Sequence, residues 1–207
     1  MSEVNVRPNP ESPSAIVRLV QPVGREAQMD ILQAAFTDPS DDPLVVGIIG
    51  AGGIGKTYMT DKALARARAS GVRVILNLVD LYNTYTHTAD GLTSAMRSEL
   101  PEAATDFADY DRAHKELSRI RVSGTSTKEV EELQKKVLDL FAQGMRQYSQ
   151  NGRVVLALDT AERLTYGAGR LDGQTDETEV PEGWVWLKQT LPNLGRVTIV
   201  IAGRPAA

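Results

Sequence analysis

The apolar run Leu44-Val45-Val46-Gly47-Ile48-Ile49 leads directly into Gly50-Ala51-Gly52-Gly53-Ile54-Gly55-Lys56-Thr57, and an alanine-rich stretch follows as far as Ser70. A nearly continuous β-branched run suits a strand covered on both faces. The stretch from Lys56 to Ser70 reads as a helix that stops at Gly71. Strand, glycine-rich turn and helix in this order commit the chain to an α/β fold. They also aim the turn's amides and a helix N-terminus at one point. The turn has the pattern G-x-x-x-x-G-K-[ST], so that point suits a polyphosphate. Four fixed positions arise by chance in roughly one chain per hundred of this length, and the flanking strand and helix make an accident rarer.

The expected ligand set is Gly50, Ala51, Gly52, Gly53, Ile54 and Gly55, with Lys56, Thr57 and Tyr58 on the first helical turn. Lys56 would neutralise the β- and γ-phosphates, and the Thr57 hydroxyl would ligate Mg²⁺. A guanine-reading Asn/Thr-Lys-x-Asp box is absent from the sequence, which favours ATP or ADP as the nucleotide.

Three more apolar runs read as buried parallel strands: Val72–Val79, Val154–Leu158 and Val197–Ala202. Arg25 to Phe36 carries Met29, Leu32 and Phe36 at helical spacing. Between the second and third strands lies a helical insertion with two amphipathic stripes. One runs through Phe107, Tyr110, Ala113, Leu117 and Ile120; the other, through Val130, Leu133, Val137, Leu140 and Phe141, opens on the capping box Ser126-Thr127-Lys128-Glu129. Trp184, Trp186 and Leu187 belong to a last helix. Residues 166–183, acidic and glycine-containing, read as a solvated loop, with a lid or partner contact as the alternative.

Composition sets the outer bounds. The 207 residues suffice for one well-buried α/β domain, and a net charge of −4 argues against a general nucleic-acid surface, so no nucleic-acid partner is expected for this domain alone. Without cysteine, disulfides and thiolate metal sites are excluded. No apolar stretch reaches the roughly 18–20 residues that span a bilayer, so no membrane partner and a cytoplasmic location are expected. Residues 1–20, with Pro8, Pro10 and Pro13, read as a disordered lead-in, and 21–207 as the nucleotide-binding domain.

Hydrolysis needs an organised metal and a positioned water as well as a phosphate loop. The third strand ends in Asp159, placed to support the Mg²⁺ that Thr57 ligates, with a helix N-cap as the competing role. Glu162 could polarise the attacking water, or pair with a neighbouring arginine. The fourth strand ends in Gly203-Arg204-Pro205, and ligands of open parallel sheets sit beyond the carboxyl ends of the strands. Arg204 there could sense the γ-phosphate or stabilise charge during its transfer. The catalytic set is therefore Lys56, Asp159, Glu162 and Arg204, and the metal set Thr57 and Asp159.

Taken in order, Val23-Gly24-Arg25-Glu26, the phosphate loop, Leu158-Asp159-Thr160-Ala161-Glu162 and Ile201-Ala202-Gly203-Arg204 resemble the nucleotide-binding core of STAND-class signalling ATPases. These are relatives of NB-ARC and NACHT proteins on the AAA+-like branch of P-loop NTPases. The resemblance covers about residues 20–205. It implies a three-layer fold with a mostly parallel sheet of order 5-1-4-3-2, the fourth strand lying beside the first. It also implies that Val23 and Arg25 lie near the adenine and that Arg204 is the first sensor residue.

It further implies a homo-oligomerising parent protein with attached sensor and effector domains. A fifth strand, helical lid and winged helix would normally follow, so the chain reads as a core truncated before them. Many AAA+ relatives carry a glutamate directly after the strand-end aspartate. Thr160 stands there instead, so Glu162 takes over or turnover is slow.

The rival readings are a P-loop small-molecule or nucleotide kinase, a DNA-linked AAA+ ATPase, and a binding scaffold without turnover. The kinase would draw on Arg97, Arg112 and Arg119, although no acceptor motif accompanies them.

Overall fold

Every strand pair among the described residues runs parallel, so paired strands are joined by crossovers rather than hairpins. The structure is a computed structural model describing residues 16–20, 25–123, 126–164 and 180–204. Its strands are β1 (Ile16–Val20), β2 (Leu44–Ile49), β3 (Arg73–Val74), β4 (Val79–Asp80), β5 (Val154–Asp159) and β6 (Val197–Gly203). Its helices are α1 (Arg25–Phe36), α2 (Lys56–Ala69), α3 (Ala89–Ser98), α4 (Ala108–Val122), α5 (Thr127–Ser149) and α6 (Glu182–Thr190).

The sheet order is β1-β2-β6-β5-β3, with β4 also beside β5. The strand before the phosphate loop thus neighbours the strand ending at Gly203, as the resemblance implied. Val154 to Leu158 are wholly buried, which places β5 in the core. Helices α1 and α2 form one covering layer. They are tied together by Gln33 Nε2 donating to Ala63 O at 3.0 Å, and to the sheet by Thr198 Oγ1 donating to Ala35 O at 2.9 Å. Helices α3 to α6 form the other layer.

Four expectations are corrected. Residues 16–20 are not part of a disordered lead-in: Ile16-Val17-Arg18-Leu19-Val20 pairs with β2 from Ile16↔Leu44 to Val20↔Ile48. This strand takes the edge position beside β2 that the resemblance assigned to a fifth strand. Next, the run 72–79 is not one strand. Leu76 N–H donates to Glu99 O, and both Asn77 nitrogens donate to Glu99 Oε2 at 2.9 Å. Arg68 Nη2 donates to the carbonyls of Ile75 and Leu76. These captures draw the middle of the run away from β5 and split it into β3 and β4.

The third correction is that the insertion opens with a helix, α3, which the two stripes did not include; it buries Leu92 and Met96. Finally, Glu182 and Gly183 already belong to α6, whereas 165–179 of the expected loop lie outside the described residues.

An aromatic cluster holds the insertion together. Phe107 lies 5.4 Å from Phe141 and 6.0 Å from Tyr110, and Phe141 lies 5.7 Å from Trp186 on α6. Buried Asp90 on α3 faces Arg121 Nη1 at 2.5 Å and His114 Nε2 at 3.4 Å on α4. Burial alone would push the Asp90 carboxyl up, but the His114 and Arg121 contacts outweigh it and hold it below its ordinary value. Burial also pushes the Tyr110 phenol well above its usual range. Among the described residues, no helix is long and apolar enough to cross a membrane.

Candidate functional site

The phosphate loop runs from the end of β2 to the first turn of α2. Gly53 and Gly55 hold φ of 78° and 89°, a left-handed backbone that a side chain would oppose. Gly55 is the N-cap of α2 with no side-chain cap, so the helix's first amides stay directed into the loop. Lys56 Nζ donates to Gly50 O at 2.9 Å and Ala51 O at 3.0 Å, which holds its ammonium over the loop. Ile54 and Tyr58 are exposed beside it, and Lys62 Nζ lies 5.4 Å from the Tyr58 ring centre. Gly50 N–H donates to Gly203 O at 3.2 Å, which joins the loop to the end of β6.

Asp159 closes the crevice from β5. Its Oδ2 accepts a hydrogen bond from the Thr57 hydroxyl at 2.6 Å, and its Oδ1 accepts from the Thr160 amide at 2.9 Å. The two residues of the expected metal set therefore meet. A hydroxyl and a carboxylate side by side at a phosphate loop suit Mg²⁺, which is held by few protein oxygens and by the phosphates themselves. Thr57 and Asp159 together offer a hydroxyl and a carboxylate, a donor set that fits a metal arriving with its nucleotide.

Arg204 and Glu162 face each other at the end of β6. Glu162 Oε2 accepts from the Arg204 amide at 2.9 Å, and its Oε1 lies 3.4 Å from Arg204 Nε. The guanidinium lies over the loop: a Cβ on Gly52 would come within 3.0 Å of Arg204 Nη2. Arg204 is thus brought to the phosphate loop. Both carboxylate oxygens of Glu162 are turned to Arg204.

The structure brings together Gly50 to Thr57, Asp159, Glu162 and Arg204. It does not bring Arg97, Arg112 or Arg119 to them: these engage Asp111, Asp109 and Glu116 on the insertion. Val23 and the Arg25 side chain lie outside the described residues. Sequence reasoning missed Asp80, which sits at the end of β4 as the register partner of Asp159 and whose Oδ1 accepts from Tyr82 N–H at 2.9 Å. The apolar run 72–79 ends directly before it, so its place at a strand end was a signal available in the sequence.

Sequence reasoning also missed the backbone of Thr160, the one non-glycine residue with positive φ among the described residues, at 61°. That conformation costs a β-branched residue about 1–3 kcal/mol.

A groove of about 1010 Å³ lies elsewhere, between α4 and α5, lined by Ala113, Leu133 and Leu140 with Arg112, Lys115 and Lys136 at its rim. None of its lining residues belongs to the loop or to a strand end, and no motif accompanies it. The glycine loop outweighs it because its chemistry is specific.

The model of the family described as AAA ATPase domain matches residues 21–176, more than half of the chain. The chain belongs to the AAA ATPase domain family. The match spans the phosphate loop and Asp159, and this membership suggests nucleotide binding and ATP hydrolysis for the domain. It ends before β6 and so does not cover Arg204, which the structure places beside Glu162 and Gly52. No curated protein and no solved structure matches the chain.

Proposed function

We propose that this AAA domain binds ATP with Mg²⁺ and hydrolyses it slowly, as the switching core of a cytoplasmic, signal-transducing ATPase of the STAND class. The observation that carries the nucleotide reading is the convergence of three chain segments. Thr57 Oγ1 meets Asp159 Oδ2 at 2.6 Å, while Arg204 lies across Gly52 of the same loop. The STAND assignment rests on the sequence resemblance, as do the adenine contacts of Val23 and Arg25, the homo-oligomerising parent and its sensor and effector domains.

Each residue's part follows from charge and reach. The amides of Gly50 to Gly55 and the α2 N-terminus bind phosphate oxygens, and Lys56 neutralises them. Thr57 and Asp159 would hold Mg²⁺, which supplies charge neutralisation between the β- and γ-phosphates when bound. Arg204 reads the terminal phosphate. Glu162 acts through Arg204, keeping its guanidinium over the loop. With Thr160 directly after Asp159, no carboxylate occupies the position that most often positions water in AAA+ relatives, which supports slow turnover. Contacts made with ATP and lost with ADP give the differential that moves a two-state protein.

Affinity and turnover of Arg204→Ala and Glu162→Gln test this. Arg204→Ala is expected to retain ADP affinity and weaken ATP binding about tenfold, the worth of one charge-assisted hydrogen bond. Glu162→Gln is expected to bind both nucleotides and hydrolyse ATP more slowly. Equal losses for ATP and ADP in Arg204→Ala would remove the sensor role. A phosphorylated metabolite from an acceptor screen would replace the switch with a kinase.

A further inference from the structure

Thr160 links the two halves of the site. Upstream, Asp159 is fixed on three sides: its carbonyl accepts from Leu81 N–H at 3.1 Å, its Oδ1 from Thr160 N–H, and its Oδ2 from the Thr57 hydroxyl. Downstream, the chain enters the short 3-10 turn Ala161–Leu164, from which Glu162 reaches the Arg204 amide. Between them the backbone turns at φ 61° on a β-branched residue. Glycine or asparagine would make that turn with less strain. In the ordinary extended or helical regions the chain after Thr160 would leave in another direction, and Glu162 would swing off the end of β6.

We propose that Thr160 is a positioning residue for the phosphate site. Its left-handed backbone turns the chain leaving β5 so that Glu162, two residues beyond, meets Arg204 beside Asp159. Threonine has fewer alternative turns open to it than glycine, so the flanking hydrogen bonds hold it in this one, whereas glycine would sample several. The site is thereby held stiff at a cost in stability, the pattern expected where strain sits at a functional centre. This rests on the ATPase reading above, but the turn itself can be tested without nucleotide.

The test compares Thr160→Gly and Thr160→Asn with the wild-type chain by thermal melting, amide hydrogen exchange at Arg204, and ATP turnover. Thr160→Gly is expected to melt at or above the wild-type temperature. Its Arg204 amide, released from Glu162, should exchange about tenfold faster, and turnover should fall about ten- to a hundredfold as the site loosens. Thr160→Asn tolerates the left-handed turn and is expected to restore both exchange protection and turnover. Wild-type protection at Arg204 in Thr160→Gly would overturn the proposal. A wild-type chain that binds no ATP would overturn the ATPase reading instead, and the exchange measurement would still decide the role of Thr160.

Discussion

Lys56→Ala is expected to lose ATP and ADP affinity by at least about a hundredfold in calorimetric titration, with a thermal melting temperature close to that of the wild type. Lys56 Nζ donates to Gly50 O and Ala51 O, so the side chain is already folded back over the loop. A phosphate seated on the loop meets that charge with little reorganisation.

Each charge-assisted bond it makes to phosphate is worth about 1.5–3 kcal/mol, and two such bonds amount to at least two powers of ten in affinity. Lys56 is half-buried, and alanine is a good helix former at the first turn of α2, so the fold survives the change. Retained affinity in this variant would refute the assignment of the loop.

The largest stability effect is expected at a residue remote from the site. The Arg153 side chain is only 3% exposed and fans its donors into the segment between α1 and β2. Its Nε donates to Asp38 O at 2.8 Å. Nη1 reaches Asp42 O and Val197 O, both at 3.2 Å, and Nη2 bonds the Ser40 carbonyl. Burial pulls the guanidinium below its usual pKa, and Asp38 opposes that pull as the countercharge.

Arg153→Ala strands these carbonyls and opens a cavity at the start of β5, and is expected to lose about 3–5 kcal/mol in urea denaturation. Arg153→Met refills most of the volume but offers no donors, so it should recover only the packing share. A loss below about 1 kcal/mol for Arg153→Ala would show that the segment 38–42 holds itself without the arginine.

What the sequence made legible divides along physical lines. Elements defined by local chemistry were readable. The phosphate loop announces itself by spacing. Gly71 ends α2 with φ 83°, and Ser126 caps α5 by accepting from Glu129 N–H. Continuous apolar runs gave β2, β5 and β6, because a strand covered on both faces has no polar alternate positions to blur it.

Features set by distant partners were not readable. The run 72–79 carries strand chemistry throughout, and only Arg68 and Glu99 on other elements divide it. Ile16–Val20 lies among prolines and polar residues, so its pairing with β2 is invisible without the sheet edge it covers. The Glu162–Arg204 pair arises because the turn after β5 approaches the end of the neighbouring strand, 42 residues further along the chain. Motif spacing placed both residues at the crevice but could not say that they face each other. Nor does any residue preference announce a left-handed threonine; the turn at Thr160 is imposed by the bonds around it.

The central claim is that the amides of the glycine turn, the carboxylate ending β5 and the arginine ending β6 bound a single triphosphate crevice. Amide chemical-shift mapping with Mg²⁺ and a non-hydrolysable ATP analogue tests it most directly. The account predicts that residues 50–57, 159–162 and 203–204 shift together at one saturating concentration, while the α4–α5 groove stays unchanged. Shifts confined to that groove, or a loop that responds while Asp159 and Arg204 do not, would contradict it.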